Sequence, residues 1–328
     1  MSAIPAWELL RGYALPVTEQ PPSRIPAELA AELPADTSAA GLVPAGVRLE
    51  LTGTAAALSL SIDAAGPLQR AAPTMPCALS IWLGTELTST IPVQPGSHTV
   101  EVRLPKRGAS EIVTIYLPDG LESQLGSVSW EAGSIRPAPP RPRWLAYGDS
   151  ITQGWSATDP GRTWTAIAGR TLGLDVVNLG FAGAARGELA SATQLARSQA
   201  DVISLAFGTN CWATRAFSTE MMAEVCNSFL GTVRAGHPEV WLLVLSPIVR
   251  PDAEHAANAR GATLGDLRAA MEEAVGRYLT ANHDARVLLL RGAGLVSEEL
   301  LVDGIHPGDR GHEVMARAVS QAMSGILR

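Results

Sequence analysis

Lysine is almost missing from this chain: Lys106 is the only one in 328 residues, and arginine supplies every other side-chain cation. We read that bias as base composition, without functional meaning. With a net charge of -7 there is no basic face for a phosphate backbone to grip, which excludes nucleic acid as a partner. Cysteine is scarce too. Cys77, Cys211 and Cys226 are an odd number without metal-ligand spacing, so neither a disulfide framework nor a zinc site is expected. No apolar run is long enough to span a bilayer; the longest, 240–249, is interrupted by Ser246 and Pro247. Residues 1–17 lack the basic start, apolar run and small-residue cleavage site of a secretory signal. A cytoplasmic protein with reduced thiols and no membrane partner is therefore expected.

What remains is a globular balance, 46% hydrophobic and 17% charged, in a chain long enough for two domains. The character changes at 135–143, IRPAPPRPR, where four prolines remove backbone donors and favour an extended linker. In residues 1–134, apolar and polar residues alternate over 47–51, 57–62, 79–83, 99–104, 112–117 and 127–131, with turn-rich segments between them. That pattern predicts an all-β sandwich, similar in kind to a carbohydrate-binding module. The first forty residues, rich in Pro and Ala, are expected to wrap the surface.

Residues 144–328 read as α/β. Strand-like runs at 144–147, 175–179, 202–207, 240–245 and 286–290 alternate with helical patterns at 163–171, 188–199, 219–235, 264–282 and 311–326. This predicts a three-layer domain around a parallel sheet, whose ligands bind beyond the carboxyl ends of the strands.

Four motifs fall at those ends. In Gly148-Asp149-Ser150-Ile151-Thr152 the serine sits on a strand-to-helix turn, where free N–H groups and the helix dipole favour a developing oxyanion. A plain helix cap by Asp149 or Ser150 is the alternative. In Asp303-Gly304-Ile305-His306-Pro307 an acid three residues from a histidine can hold one ring nitrogen and free the other to activate a serine; loop decoration is the alternative. Asn178-Leu179-Gly180-Phe181-Ala182-Gly183 and Phe207-Gly208-Thr209-Asn210 offer backbone and amide donors, or simply turn residues.

Taken together and in this order, the motifs resemble the SGNH, or GDSL, family of serine esterases and acyltransferases over about 143–328. The resemblance implies a flavodoxin-like domain with Ser150 as nucleophile, His306 as base and Asp303 as its acid partner. It also implies an oxyanion hole made by the N–H groups of Ser150 and Gly183 and the amide of Asn210. GDSIT stands where many members have GDSL, and FGTN where many have GxND; neither change removes a catalytic atom. A sandwich ahead of this domain resembles a two-domain subgroup with acyltransferases of secondary metabolism, in which the sandwich helps wall the acyl-acceptor pocket.

The expected function is a cofactor-free serine esterase acting on a carboxylic ester of a small molecule. The alternative is an acyltransferase passing the acyl group to a hydroxyl of a polyketide or sugar-like acceptor. A non-catalytic glycan-binding protein ranks third, because the motif set is complete. Trp155, Arg186, Trp212 and Arg250 follow motifs or strand ends and are expected around the pocket, where they suit a flat or anionic acyl group. His306, Asp309 and His312 fit no standard zinc set, so no metal is expected. His98, His237, His255 and His283 lie away from the motifs and read as solvated or structural.

Overall fold

The computed structural model describes residues 1–13, 23–68 and 71–327. Its amino-terminal half is a sandwich of two antiparallel sheets. The strands are β1 (Ser2–Pro5), β2 (Leu10–Arg11), β3 (Arg48–Thr52), β4 (Ala57–Ala65), β5 (Ala78–Leu83), β6 (Glu86–Pro92), β7 (Gly96–Arg103), β8 (Val113–Tyr116), β9 (Glu122–Trp130) and β10 (Arg136–Pro137). One sheet runs β1-β9-β4-β7. The other runs β10-β3-β8-β5-β6, with β2 also on β3. Alternation puts Leu58, Leu60 and Ile62 of β4 against Leu49, Leu51, Leu79, Ile81, Val113 and Ile115 of the facing sheet. Strand β6 escapes the sequence pattern because ELTSTIP, at a sheet edge, is exposed or half-buried throughout and has no apolar period.

The second face of the β3-β8-β5 sheet is buried as well, although it is polar and aromatic. Arg48, Glu50, Ser80, Trp82, Thr114 and Tyr116 are each no more than 5% exposed. They meet the carboxy-terminal domain. Arg48 Nε bonds Glu50 at 2.7 Å and its Nη2 bonds Asp175 at 2.9 Å; Arg141 also pairs with Glu50, and Arg143 lies 3.5 Å from Asp175. Burial pushes the Glu50 carboxyl up, but Arg48 and Arg141 outweigh it and hold the group below its ordinary value. Trp82 Nε1 donates to Ser80 Oγ at 2.6 Å, and Ser80 Oγ donates to Asp159 at 2.7 Å. The Arg170 guanidinium covers the Trp82 ring at 4.5 Å and donates to the Tyr116 hydroxyl at 2.9 Å.

The Pro-rich stretch runs along this sheet. Arg136 and Pro137 pair with Thr52 and Leu51, and the Ala138 N–H donates to Glu50 O at 3.2 Å before the chain enters the next domain. There β11 (Arg143–Gly148), β12 (Asp175–Gly180), β13 (Val202–Ala206), β14 (Trp241–Leu245) and β15 (Val287–Leu290) form a parallel sheet in the order β12-β11-β13-β14-β15. The order in which strands are added reverses at β11, with β12 on one side and β13 on the other, the position where doubly wound sheets open a crevice. The helices are α1 (Ala27–Ala30), α2 (Ala35–Gly41), α3 (Ser150–Gln153), α4 (Trp164–Leu172), α5 (Leu189–Arg197), α6 (Thr209–Ala213), α7 (Thr219–Gly236), α8 (Pro251–Glu254), α9 (Leu264–Asn282) and α10 (Asp309–Ser324). Trp144 and Ala146 of β11 pack with Trp164 of α4 and Met315 and Val319 of α10. Leu145 and Tyr147 pack on the other face with Leu195, Phe229 and Met271 of α5, α7 and α9. No helix among the described residues is long and apolar enough to cross a membrane.

The amino-terminal forty residues do not simply wrap the surface. Residues 14–22 lie outside the described residues, but Ile25, Leu33 and Ala40 belong to the core of the α/β domain, and Arg24 is 1% exposed. Pro26 and Pro34 immediately precede α1 and α2, where a fixed φ starts a helix without losing a bonded N–H. Helices of four and seven residues are too short for a periodic apolar signal, which is why the sequence pattern misses them.

The ionic layer between the domains yields a stability prediction. Arg48→Met leaves Glu50 and Asp175 buried with one cation fewer, and should destabilise the protein by about 3–5 kcal/mol. An unchanged denaturant midpoint would show that this layer contributes nothing to stability.

Candidate active site

Strand β11 ends at Gly148, whose neighbours leave no room for a side chain: an added Cβ would collide with Thr152 and with the Ala206 carbonyl. Asp149 then caps α3, accepting the Ile151 N–H at 3.0 Å, and Ser150 is the first residue of the helix. The backbone and hydroxyl of Thr209, the residue before Asn210, also favour the ionised form of the Asp149 carboxyl. Burial raises this carboxyl to about 7, and those same donors pull it back down in part.

His306, the candidate base, lies on the loop before α10. Gly304 takes φ +76, a left-handed turn that suits glycine, and brings His306 back toward Asp303. Asp303 Oδ1 accepts the N–H groups of Ile305 and His306 at 3.0 and 2.8 Å. Its Oδ2 lies 2.8 Å from His306 Nδ1, and His306 Nε2 lies 2.8 Å from Ser150 Oγ. A proton on Nδ1 donates to the carboxylate and leaves Nε2 to accept from the serine hydroxyl. The loop is closed behind the ring by the Val302 N–H on His306 O at 2.9 Å and the Gly308 N–H on Leu300 O at 2.9 Å.

Burial is the largest influence on His306 and lowers its pKa; Asp303 opposes that, and the charge of Arg250 adds to it, with a net shift below the ordinary value. Burial also opposes ionisation of Asp303, but its bonds from the His306 ring and backbone outweigh it and keep the carboxyl below its ordinary range.

The three groups expected as oxyanion donors have defined surroundings. Gly183 sits at φ +68, and neither its N–H nor that of Ser150 bonds another described residue. Asn210 Nδ2 donates one hydrogen to Ala185 O at 3.1 Å, which orients the amide and leaves its second hydrogen unused by that bond. The Gly183 turn is itself held: Asn178 Oδ1 accepts the Gly180 N–H at 2.8 Å, and Gln153 Oε1 accepts the Ala182 N–H at 3.0 Å.

The other expected pocket residues divide. Trp155 packs on the His306 ring with centroids 5.7 Å apart, and Ala72 and Met75 of the sandwich pack with Trp155 and Ala157. Trp212 donates to Ala256 O at 2.9 Å and stacks under the Arg250 guanidinium at 5.0 Å; Asp252 holds that arginine at 2.8 and 2.9 Å. Arg186 is a correction: it is turned into the protein, with donors on Asp36 at 2.8 Å, Glu188 at 3.2 Å and Gly183 O at 2.9 Å. Its sequence position after the glycine motif says only that it is near, whereas two acidic neighbours decide where it points. His312 accepts the Trp164 N–H at Nδ1 and faces Trp155 O from Nε2, both at 3.3 Å, and burial lowers its pKa to about 4. It is a neutral structural histidine. The effect of Thr209 on Asp149 and the support from Gln153 were missed; the first was visible only as an acid beside the serine, the second had no sequence signal.

A model of the GDSL-like lipase/acylhydrolase family matches residues 146–314. Among solved structures, the chain is similar to the salicylyl-acyltransferase SsfX3 from a tetracycline biosynthetic pathway, with a TM-score of 0.85 and 26% identity over 99% of this chain and 98% of that one. A putative GDSL-like lipase from Bacteroides ovatus shares the fold at TM-score 0.79 and 23% identity, over 99% and 98% of the two chains. So does a family two carbohydrate esterase from Clostridium thermocellum, solved with cellohexaose, at 0.68 and 15% over 86% and 93%. A search of curated proteins returned no match.

The electrostatics of the His306 ring can be checked directly. By NMR its titration midpoint should fall below the ordinary histidine value of 6.5, and Asp303→Asn should lower it further by removing the group that opposes burial. A midpoint that rises in Asp303→Asn would contradict this geometry.

Proposed function

We propose that this chain, which belongs to the GDSL-like lipase/acylhydrolase family, is a serine esterase working through an acyl-Ser150 intermediate on a carboxylic ester of a small molecule. The observation that carries the reading is the relay of two 2.8 Å bonds from Ser150 through His306 to Asp303, together with the N–H groups of Ser150 and Gly183, which bond no other described residue. Ser150 Oγ attacks the ester carbonyl carbon while its proton passes to His306 Nε2. The carbonyl π electrons move to oxygen, where the two N–H groups and the Asn210 amide receive them. The tetrahedral species collapses and expels the alkoxide, which takes the proton from His306. Water then attacks the acyl carbon, His306 accepts its proton, and Ser150 leaves protonated with release of the carboxylic acid. Asp303, kept ionised, stabilises the imidazolium and holds the tautomer.

A second reading has its own support. In transfer, a bound hydroxyl replaces water in the last step and the product is a new ester. The similarity to the salicylyl-acyltransferase spans both domains. Met75 of the sandwich also packs against the wall that carries Trp155, on the His306 side of the site.

Incubation with p-nitrophenyl acetate should add one acetyl group to the intact protein, and Ser150→Ala should abolish both adduct and turnover. A variant that keeps both would sink the assignment. Asn210→Ala should lower kcat roughly a hundred- to a thousandfold. Because His306 must be neutral to accept a proton, kcat/KM should fall as pH drops through its titration, with half-maximal activity below 6.5. Added alcohols separate the readings: transfer predicts faster p-nitrophenol release and an ester product, hydrolysis neither.

A further inference from the structure

Strand β12 is the edge of the parallel sheet, and among the described residues no strand covers its outer side. Alternate carbonyls of a strand point the same way, so Val176, Asn178 and Gly180 present theirs in one row. Two arginines take that row. Arg48 Nη1 donates to Val176 O at 3.0 Å, and Arg24 Nη1 donates to Asn178 O at 2.7 Å and Gly180 O at 2.8 Å. Arg24 also spans back to its own segment, through Nε to Val43 O at 2.6 Å and Nη2 to Ala40 O at 2.5 Å, and its guanidinium covers the Phe181 ring at 5.3 Å. It is a buried cation whose direct partners are carbonyl oxygens. Burial lowers its pKa to about 10, with Asp119 acting in the opposite direction.

Gly180 and Phe181 lead directly into Gly183. The same turn is tied a second time to the same segment, because Arg186 bonds Gly183 O at 2.9 Å and Asp36 of α2 at 2.8 Å. One arginine reaches from the segment into the turn; the other reaches from the turn into the segment.

We infer that the segment from Arg24 to Gly41 sets the aim of the oxyanion turn, with Arg24 and Asp36 as positioning residues for the Gly183 N–H. This rests on the acyl-serine reading given above. The segment lies outside the stretch matched by the family model, 146–314, so the donor supplied by the α/β domain is held by chain that precedes the sandwich strands β3 to β9. Guanidinium geometry is required. Its planar fork spans two carbonyls of β12 and those of Ala40 and Val43, whereas a lysine ammonium is a point donor on a flexible stem.

The test compares native protein with Arg24→Lys, Arg24→Met and Asp36→Ala, the last being a change on a partly exposed helix that should leave folding intact. Turnover is expressed per serine trapped by the p-nitrophenyl ester burst, so that loss of folded protein alone does not register. Misplacing an oxyanion donor should lower this kcat roughly tenfold or more in the Arg24 variants and severalfold in Asp36→Ala, with KM nearly unchanged. Inhibition by phenylboronic acid, which forms a tetrahedral adduct on serine, should weaken in parallel. Hydrogen exchange of peptides covering 178–187 should accelerate in each variant while β13 and β14 keep their protection. Turnover per trapped serine and exchange both at native values in Asp36→Ala and in whichever Arg24 variant folds would overturn the inference. Absence of any acyl adduct in the native protein would instead overturn the acyl-serine reading, and the exchange measurement would still decide whether the segment holds the turn.

Discussion

Guanidinium groups on the free edge of β12 hold this molecule together. A sheet edge exposes a row of unpaired carbonyls, and most proteins leave such a row to water, cover it with a loop, or extend it with another strand. Here Arg24 and Arg48 occupy it, one from the amino-terminal segment and one from the sandwich. An arginine satisfies the carbonyls without lengthening the sheet, so β12 stays the last strand and its carboxyl end is free to turn into the site. The sandwich is fastened by the same contacts. Arg48 serves Glu50, Asp175 and Val176 at once, so the two domains share one buried charge network.

Two aspartates show how environment divides the work at the site. Asp149 is buried with only neutral groups around it, and its carboxyl is raised to about 7; it caps α3 by accepting the Ile151 N–H, with Thr209 of the third motif also favouring its ionised form. Asp303 sits at the surface, bonded to the His306 ring and two N–H groups, and stays below its ordinary range. The first carboxyl caps the helix that carries Ser150, while in the proposed mechanism the second supplies the charge that a protonated imidazole needs. His312 completes the picture from below: with both ring nitrogens engaged it braces Trp155, which packs on His306.

Much of this is legible in the sequence. The five strands of the parallel sheet and its five longer helices fall within a few residues of their predicted spans, because each has a hydrophobic period and a clear turn on either side. The Ser150, Asp303 and His306 relay was legible for a local reason: a serine at a strand end and an acid three residues before a histidine are short-range signals, and their order along the chain carries the rest. What the sequence hid was long-range or unpatterned. The exposed edge strand β6 has no apolar alternation, and α1 and α2 are too short for a period. Arg186 was legible as a neighbour of the site, but its direction was set by Asp36, which is distant along the chain.

The sequence by itself determined the two kinds of domain, the order of the four motifs and the candidates for attack, proton acceptance and oxyanion donation. Those are properties of residue type and local spacing, and local physics expresses them wherever the chain goes. Only the tertiary structure decided which cations would be buried and against what. Arg24 and Arg48 read as two more surface arginines until the fold brings the bare carbonyls of β12 alongside them. A buried guanidinium is stable only where enough acceptors converge on it, and that convergence exists in no segment of the chain alone.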